Sequence, residues 1–110
     1  MKLCVPTFKG FILLKPEEIV VCEAVKNYTV IHLHNGKPIT VSRSLMEYER
    51  MLESTGFLRV HKTYLVNLRH VCEYRRGEGG VVIMSNGAEV EVSRRKKEYL
   101  LSILKGVFRH

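Results

Sequence analysis

The sequence predicts a mostly β, antiparallel domain of about ten short strands with one or two short helices. Three observations carry that expectation. Apolar, β-branched runs are short and are broken at intervals by Gly, Pro or Asn. Asn-Gly occurs twice, at Asn35-Gly36 and Asn86-Gly87, and both residue types tolerate the positive φ of a tight hairpin. Helical spacing appears in only two places, each behind a serine (Ser44 and Ser93). At 110 residues the chain is expected to form a single domain over 1–110 with its own core.

In order, Leu3–Thr7 and Gly10–Leu14 are expected as strands, since Pro6 and Gly10 punctuate a run rich in Val, Phe, Ile and Leu. Lys15-Pro16-Glu17-Glu18 makes a turn. Ile19–Lys26 and Tyr28–His34 are β-branched and apolar, and Lys26-Asn27 is the tight connection between them. Asn35-Gly36 turns the chain into Pro38–Ser42, with Pro at the strand start, where no ladder donor is lost. Ser44 and Glu47 have capping-box spacing, in which each side chain satisfies the other's free backbone N–H. Leu45, Tyr48, Met51 and Leu52 then form one stripe of a helix of about ten residues, which Gly56 ends.

Phe57–Leu68 is the stretch around which the chain is organised. Its apolar members suggest a short core segment joining two sheets, with Asn67 a buried turn-former bonded to its own backbone. Its polar members are Arg59, His61, Lys62, Thr63 and Asn67, with no carboxylate among them. Buried charge without a partner is costly, so either these side chains point to solvent or something negative meets them. His61 is open between contacting a phosphate and bonding within the fold. Arg69–Arg76, Val81–Ser85 and Glu89–Ser93 are the remaining strands, turned at Gly77–Gly80 and at Asn86-Gly87. Val90 and Val92 share one face of the last, Glu89 and Glu91 the other. A final helix spans Ser93–Phe108 with Leu100, Ile103, Leu104, Val107 and Phe108 inward.

Charge supplies the functional signal. The net charge is +7, but residues 1–56 hold seven Lys and Arg against six Glu, whereas residues 57–110 hold eleven against five. A concentrated basic half suits a polyanionic partner. Arg94, Arg95, Lys96 and Lys97 crowd the first turn of the last helix, where the macrodipole disfavours cations by roughly 0.3–1 kcal/mol each. Together with free backbone N–H groups they make a constellation suited to phosphate. The competing expectation is that Glu89, Glu91 and Glu98 neutralise the cluster.

Other chemistries find little support. Every acid is Glu, so aspartyl phosphoacceptors, EF-hand loops and Ser-His-Asp triads are excluded within these residues. Cys4, Cys22 and Cys72 form no C-x-x-C pair, and His32 and His34 lack a third ligand at matching spacing, so no metal or other cofactor is expected. No nucleotide-loop or hydrolase motif occurs, so no enzyme is expected. Without a signal-peptide or membrane-spanning run, the chain is expected to be cytoplasmic.

Several segments together resemble the LytTR family of bacterial DNA-binding domains: Ile19–Ala24 with Asn27-Tyr28, Ser44-Leu45, Phe57–Asn67, and Asn86-Gly87 leading to Val92-Ser93-Arg94-Arg95-Lys96. The resemblance implies an elongated arrangement of small antiparallel sheets, acting as the output domain of a response regulator or as a stand-alone transcription regulator. It implies double-stranded DNA, at promoter direct repeats, held by loops in successive major grooves and in the minor groove between them. It implies base-facing positions at Lys26, Asn27 and Tyr28, at Lys62 flanked by His61 and Arg59, and at Arg95 beside Arg94, with Ser93, Lys96 and Lys97 on phosphates. Two copies side by side as a homodimer on DNA, and a receiver or sensor domain ahead of Met1, are compatible with it. The alternative is a basic module that binds an acidic protein or an anionic surface without reading sequence.

Overall fold

A computed structural model describes residues 1–107, with side chains as far as residue 106. It contains three antiparallel sheets and two helices. The first sheet is the hairpin β1 (Leu3–Thr7) and β2 (Gly10–Leu14). The second has five strands in the order β5-β4-β3-β7-β6, comprising β3 (Ile19–Val25), β4 (Tyr28–Leu33), β5 (Ile39–Val41), β6 (Phe57–His61) and β7 (Tyr64–Asn67). The third is β10-β9-β8, formed from β8 (Val71–Arg75), β9 (Val81–Met84) and β10 (Glu89–Glu91). Helix α1 (Leu45–Leu52) lies between β5 and β6, and α2 (Arg94–Val107) follows β10. The molecule measures 43 × 28 × 24 Å, longer than it is wide because the sheets succeed one another along the chain.

The five-stranded sheet is covered on both faces, so its central strand reads as a continuous apolar run (Ile19-Val20-Val21-Cys22). Ile19 and Cys22 join Val5, Ile31, Leu45, Tyr48, Leu52, Phe57 and Leu65 in one cluster, under the first hairpin and α1. Val20 and Val21 join Val60, Val66, Val82, Met84, Val90, Val92 and Leu100 in a second, under the third sheet and α2. A register shift between Ile19 and Val21 gives β3 the twist to serve both.

Most expected elements form within a residue or two of their expected ends, and four details differ. Phe57–Leu68 does not join two sheets: it is the β6–β7 hairpin inside the five-stranded sheet, closed by Lys62-Thr63. Its alternation breaks at a bulge between Arg59 and His61, which obscures the hairpin in the sequence. The junction to the third sheet is instead a helical turn, Leu68–His70, that takes the start of the expected strand 69–76. Only half of the first capping box forms: Ser44 Oγ accepts from Glu47 N–H at 3.2 Å, while the Glu47 carboxylate faces Arg43 at 4.0 Å. Phe108, expected on the inner face of α2, lies outside the described residues, as does the side chain of Val107.

Asn67 is 2% exposed and does more than close its own turn. Its Oδ1 accepts from Arg69 N–H at 3.1 Å, the expected local bond. Its Nδ2 donates to Ile19 O at 2.9 Å and to Pro16 O at 3.3 Å, stitching the end of β7 to the start of β3.

Candidate nucleic-acid interface

Three segments far apart in the chain are brought to one edge of the five-stranded sheet. Strands β3 and β7 run antiparallel with Glu23 opposite Tyr64, so the β3–β4 and β6–β7 turns leave the same end. Ala24 N–H donates to Thr63 O at 2.8 Å and fastens one turn to the other. Ser93 N–H donates to Val60 O at 2.8 Å, which sets the start of α2 beside the end of β6. Lys26-Asn27-Tyr28, His61-Lys62-Thr63 and Ser93–Lys97 therefore form one row.

Each segment is shaped by identifiable forces. In the two-residue β3–β4 turn Lys26 sits at φ +54°, the one described residue other than glycine with positive φ. That conformation costs a side-chain-bearing residue about 1 kcal/mol, and the turn presents Lys26, Asn27 and Tyr28 to solvent. Behind Tyr28, Thr29 is wholly buried and its hydroxyl donates to Arg43 O at 2.7 Å.

In the β6–β7 turn, Arg59 does not project as a free cation. Its Nε–H donates to His61 O at 3.1 Å, one terminal nitrogen donates to Lys62 O, and the other bonds Glu49 Oε1 of α1 at 3.0 Å. The guanidinium is thereby spent on the backbone of the turn, and Lys62 is left exposed at its tip. His61 Nδ1 accepts from Thr63 N–H at 3.1 Å, which leaves its proton on Nε2, 3.8 Å from Glu91. The bond expected for His61 within the fold is thus made by Nδ1. Its ring also lies 5.6 Å from that of Tyr64.

The start of α2 is fixed by packing that the sequence does not announce. Leu100 is wholly buried against β6 and the third sheet, anchoring the helix. The Gly77–Gly80 turn lies against the β10–α2 junction: Val92 N–H donates to Gly80 O at 3.0 Å, and Tyr74 Oη donates to Gly79 O at 2.8 Å. A Cβ on Gly79 would fall 1.8 Å from Val92 O, so only glycine permits this approach.

The expected neutralisation of the basic turn is mostly not found. Glu89 lies 4.0 Å from Arg75, and Glu91 faces His61. Arg94 alone has a carboxylate, Glu78 at 3.4 Å, and both side chains are well exposed, so the pair is weak. Among the described residues no carboxylate lies within 4.0 Å of Lys26, Lys62, Arg95, Lys96 or Lys97. His61, Lys62, Arg95 and Lys96 line a shared recess of about 260 Å³ with Glu49, Arg59 and Ser93. A second recess, about 330 Å³, lies between Tyr28 and the β1–β2 tip at Phe8.

Elsewhere the histidines are occupied by other contacts. His32 Nε2 lies 3.0 Å from Glu23 Oε1, and the His34 and His70 rings are 5.4 Å apart. Among the described residues no helix is long and apolar enough to cross a membrane.

A β-rich domain that gathers basic turns and a basic helix start along one edge has the charge distribution of a polyanion-binding module. The model of the LytTr DNA-binding domain matches residues 9–105, and the chain belongs to that family. Among similar proteins is the transcriptional regulatory protein LytR of Staphylococcus aureus, 32% identical over 94 residues, which cover 83% of this chain and 38% of that protein. The CO-responsive transcriptional regulator RcoM of Rhodospirillum rubrum is 38% identical over 74 residues, 64% of this chain and 30% of RcoM. A LytTr DNA-binding domain of a putative methyl-accepting/DNA response regulator from Bacillus cereus superposes with a TM-score of 0.80 at 24% identity, over 94% of this chain and 96% of that one, and so has the same fold. The chain thus spans about two fifths or less of these full-length regulators.

Proposed function

We propose that this domain binds double-stranded DNA sequence-specifically to regulate transcription, with its three-segment edge lying along the duplex. The observation that carries the reading is the row itself: five cations with no carboxylate within 4.0 Å among the described residues, on three segments tied together by backbone hydrogen bonds. In this reading the segments enter successive major grooves, ~34 Å apart along the duplex. Arg95, exposed and rigidly based, is assigned to a guanine, whose O6 and N7 match the guanidinium fork. Lys62, Lys26, Asn27 and Tyr28 are the other base-facing residues, and Arg94 lies beside Arg95. Ser93, Lys96 and Lys97 hold phosphates, which fix register without reading sequence. His61 and Arg59 enter by shaping the turn that carries Lys62.

The relatives extend well beyond the matched segment, and we assign the domain the output role in a longer cytoplasmic regulator or a stand-alone one. With no Asp in this chain, an aspartyl phosphorylation switch would belong to an attached receiver domain. Pairing as a homodimer on direct repeats would follow from two such edges on one duplex.

Selection from a random duplex library supplies the site, and variants then test the roles. Arg95→Ala should lose about 1–3 kcal/mol on the selected site and relax preference at one base pair. Lys97→Ala should weaken all sequences alike and lower the log–log salt slope by about 1. A steep salt slope without any preferred sequence would identify an anionic-surface module instead.

A further inference from the structure

We propose that Glu49, on α1 and outside the basic row, sets base specificity by holding the Lys62 turn through Arg59. This rests on the DNA-binding reading above and assigns within it a residue with no direct contact. The guanidinium of Arg59 meets the turn from inside, bonding the carbonyls of both His61 and Lys62. These two backbone bonds couple Arg59 to the turn, and a third bond couples it to α1. Glu49 Oε1, 3.0 Å from Arg59, supplies that third bond.

The anchor is itself rigid. On either side of Glu49 in sequence, Tyr48 and Leu52 are wholly buried in the first core cluster, so α1 cannot rotate without opening it. A base reader must be held to within about 0.5 Å of its productive geometry, and Lys62 is the exposed residue of a two-residue turn whose other residue, Thr63, is fastened to β3 through Ala24. The chain Glu49–Arg59–Lys62 backbone ties the Lys62 side of the turn to α1.

The same carboxylate has a cost that makes the role visible. Glu49 lines the recess shared by Lys62, Arg95 and Lys96, where it is the one acid among the lining residues. A negative charge there repels phosphate, so it opposes affinity for any duplex while sharpening the position of Lys62.

Removing Glu49 should therefore move two quantities in opposite directions. On duplexes carrying every single-base change of the selected site, Lys62→Ala identifies the pair that Lys62 reads. Glu49→Ala should flatten preference at that same pair by about fivefold or more, the lower end of what losing one base contact costs. Its affinity for random duplex should hold or rise by about twofold, as one repulsive charge is lost. Glu49→Gln, which keeps an acceptor for Arg59, should retain most of the preference while sharing the rise. In the Lys62→Ala background, Glu49→Ala should cause no further loss at that pair. Unchanged preference in Glu49→Ala, or loss spread over all positions with a lowered melting temperature, would overturn the proposal. A wild-type chain that selects no sequence would instead overturn the DNA reading on which it rests.

Discussion

Asn67→Ala should be among the most damaging single substitutions outside the apolar core. The side chain is 2% exposed and makes three hydrogen bonds, donating to Ile19 O and Pro16 O and accepting from Arg69 N–H. Truncation leaves a buried carbonyl at Ile19 and a backbone N–H at Arg69 without partners. Each such orphan costs about 1–3 kcal/mol, and the Pro16 contact, at 3.3 Å, adds little. The expected loss is about 2–4 kcal/mol, or roughly 8–16 °C in melting temperature for a domain of this size. Thermal and urea unfolding followed by circular dichroism would measure it. Asn67→Asp should cost at least as much at neutral pH, since a carboxylate would face two carbonyl oxygens, and should recover in part as pH falls and the acid takes up a proton. A loss below about 0.5 kcal/mol for Asn67→Ala would refute the view that this side chain, not strand pairing alone, joins β7 to β3.

Tyr48 is wholly buried and its hydroxyl meets no hydrogen-bond partner among the described residues, so Tyr48→Phe should raise stability by about 1 kcal/mol by denaturant unfolding. Burial pushes the Cys22 thiol up to about 12 from 9.0, so in the native protein Cys4 and Cys72, both exposed, should alkylate quickly and Cys22 only on unfolding. The unfolded chain releases the Cys22 proton near pH 9 while the folded chain keeps it, so stability should fall as pH rises from about 9 toward 12, and Cys22→Ala should lessen that fall in a melting series. Gly79→Ala forces the Gly77–Gly80 turn away from Val92, and should displace the start of α2 and weaken duplex binding even where the domain remains folded.

The strand pattern was legible because alternation, β-branched runs and turn residues are local properties. Leu3–Thr7 and Gly10–Leu14 form with the expected ends, and Gly56 takes the expected left-handed conformation at φ +87°. The β6–β7 hairpin was hidden because Lys62-Thr63 is not a characteristic turn pair and the bulge before His61 disrupts the period. The candidate edge was legible in composition, through the excess of cations after Phe57 and the crowded first turn of α2. Which cations remain unpaired was not. Arg59 and Lys62 look alike in sequence, yet the carbonyls of the turn and a carboxylate ten positions earlier occupy one and leave the other free. Gly79 was read as a turn residue, since nothing near it in the sequence reveals that Val92 O lies against it.

The central claim is that one edge of the domain reads DNA through segments placed in successive major grooves. Guanine N7-methylation interference on a selected site tests it most directly, because a methyl group at N7 blocks the contact an arginine makes there. Interference is expected in two patches about 10 base pairs apart, with Arg95→Ala removing it at one guanine and leaving the rest. Tight, sequence-selective binding with no interference at any guanine, in a site that contains guanines in both patches, would contradict the account.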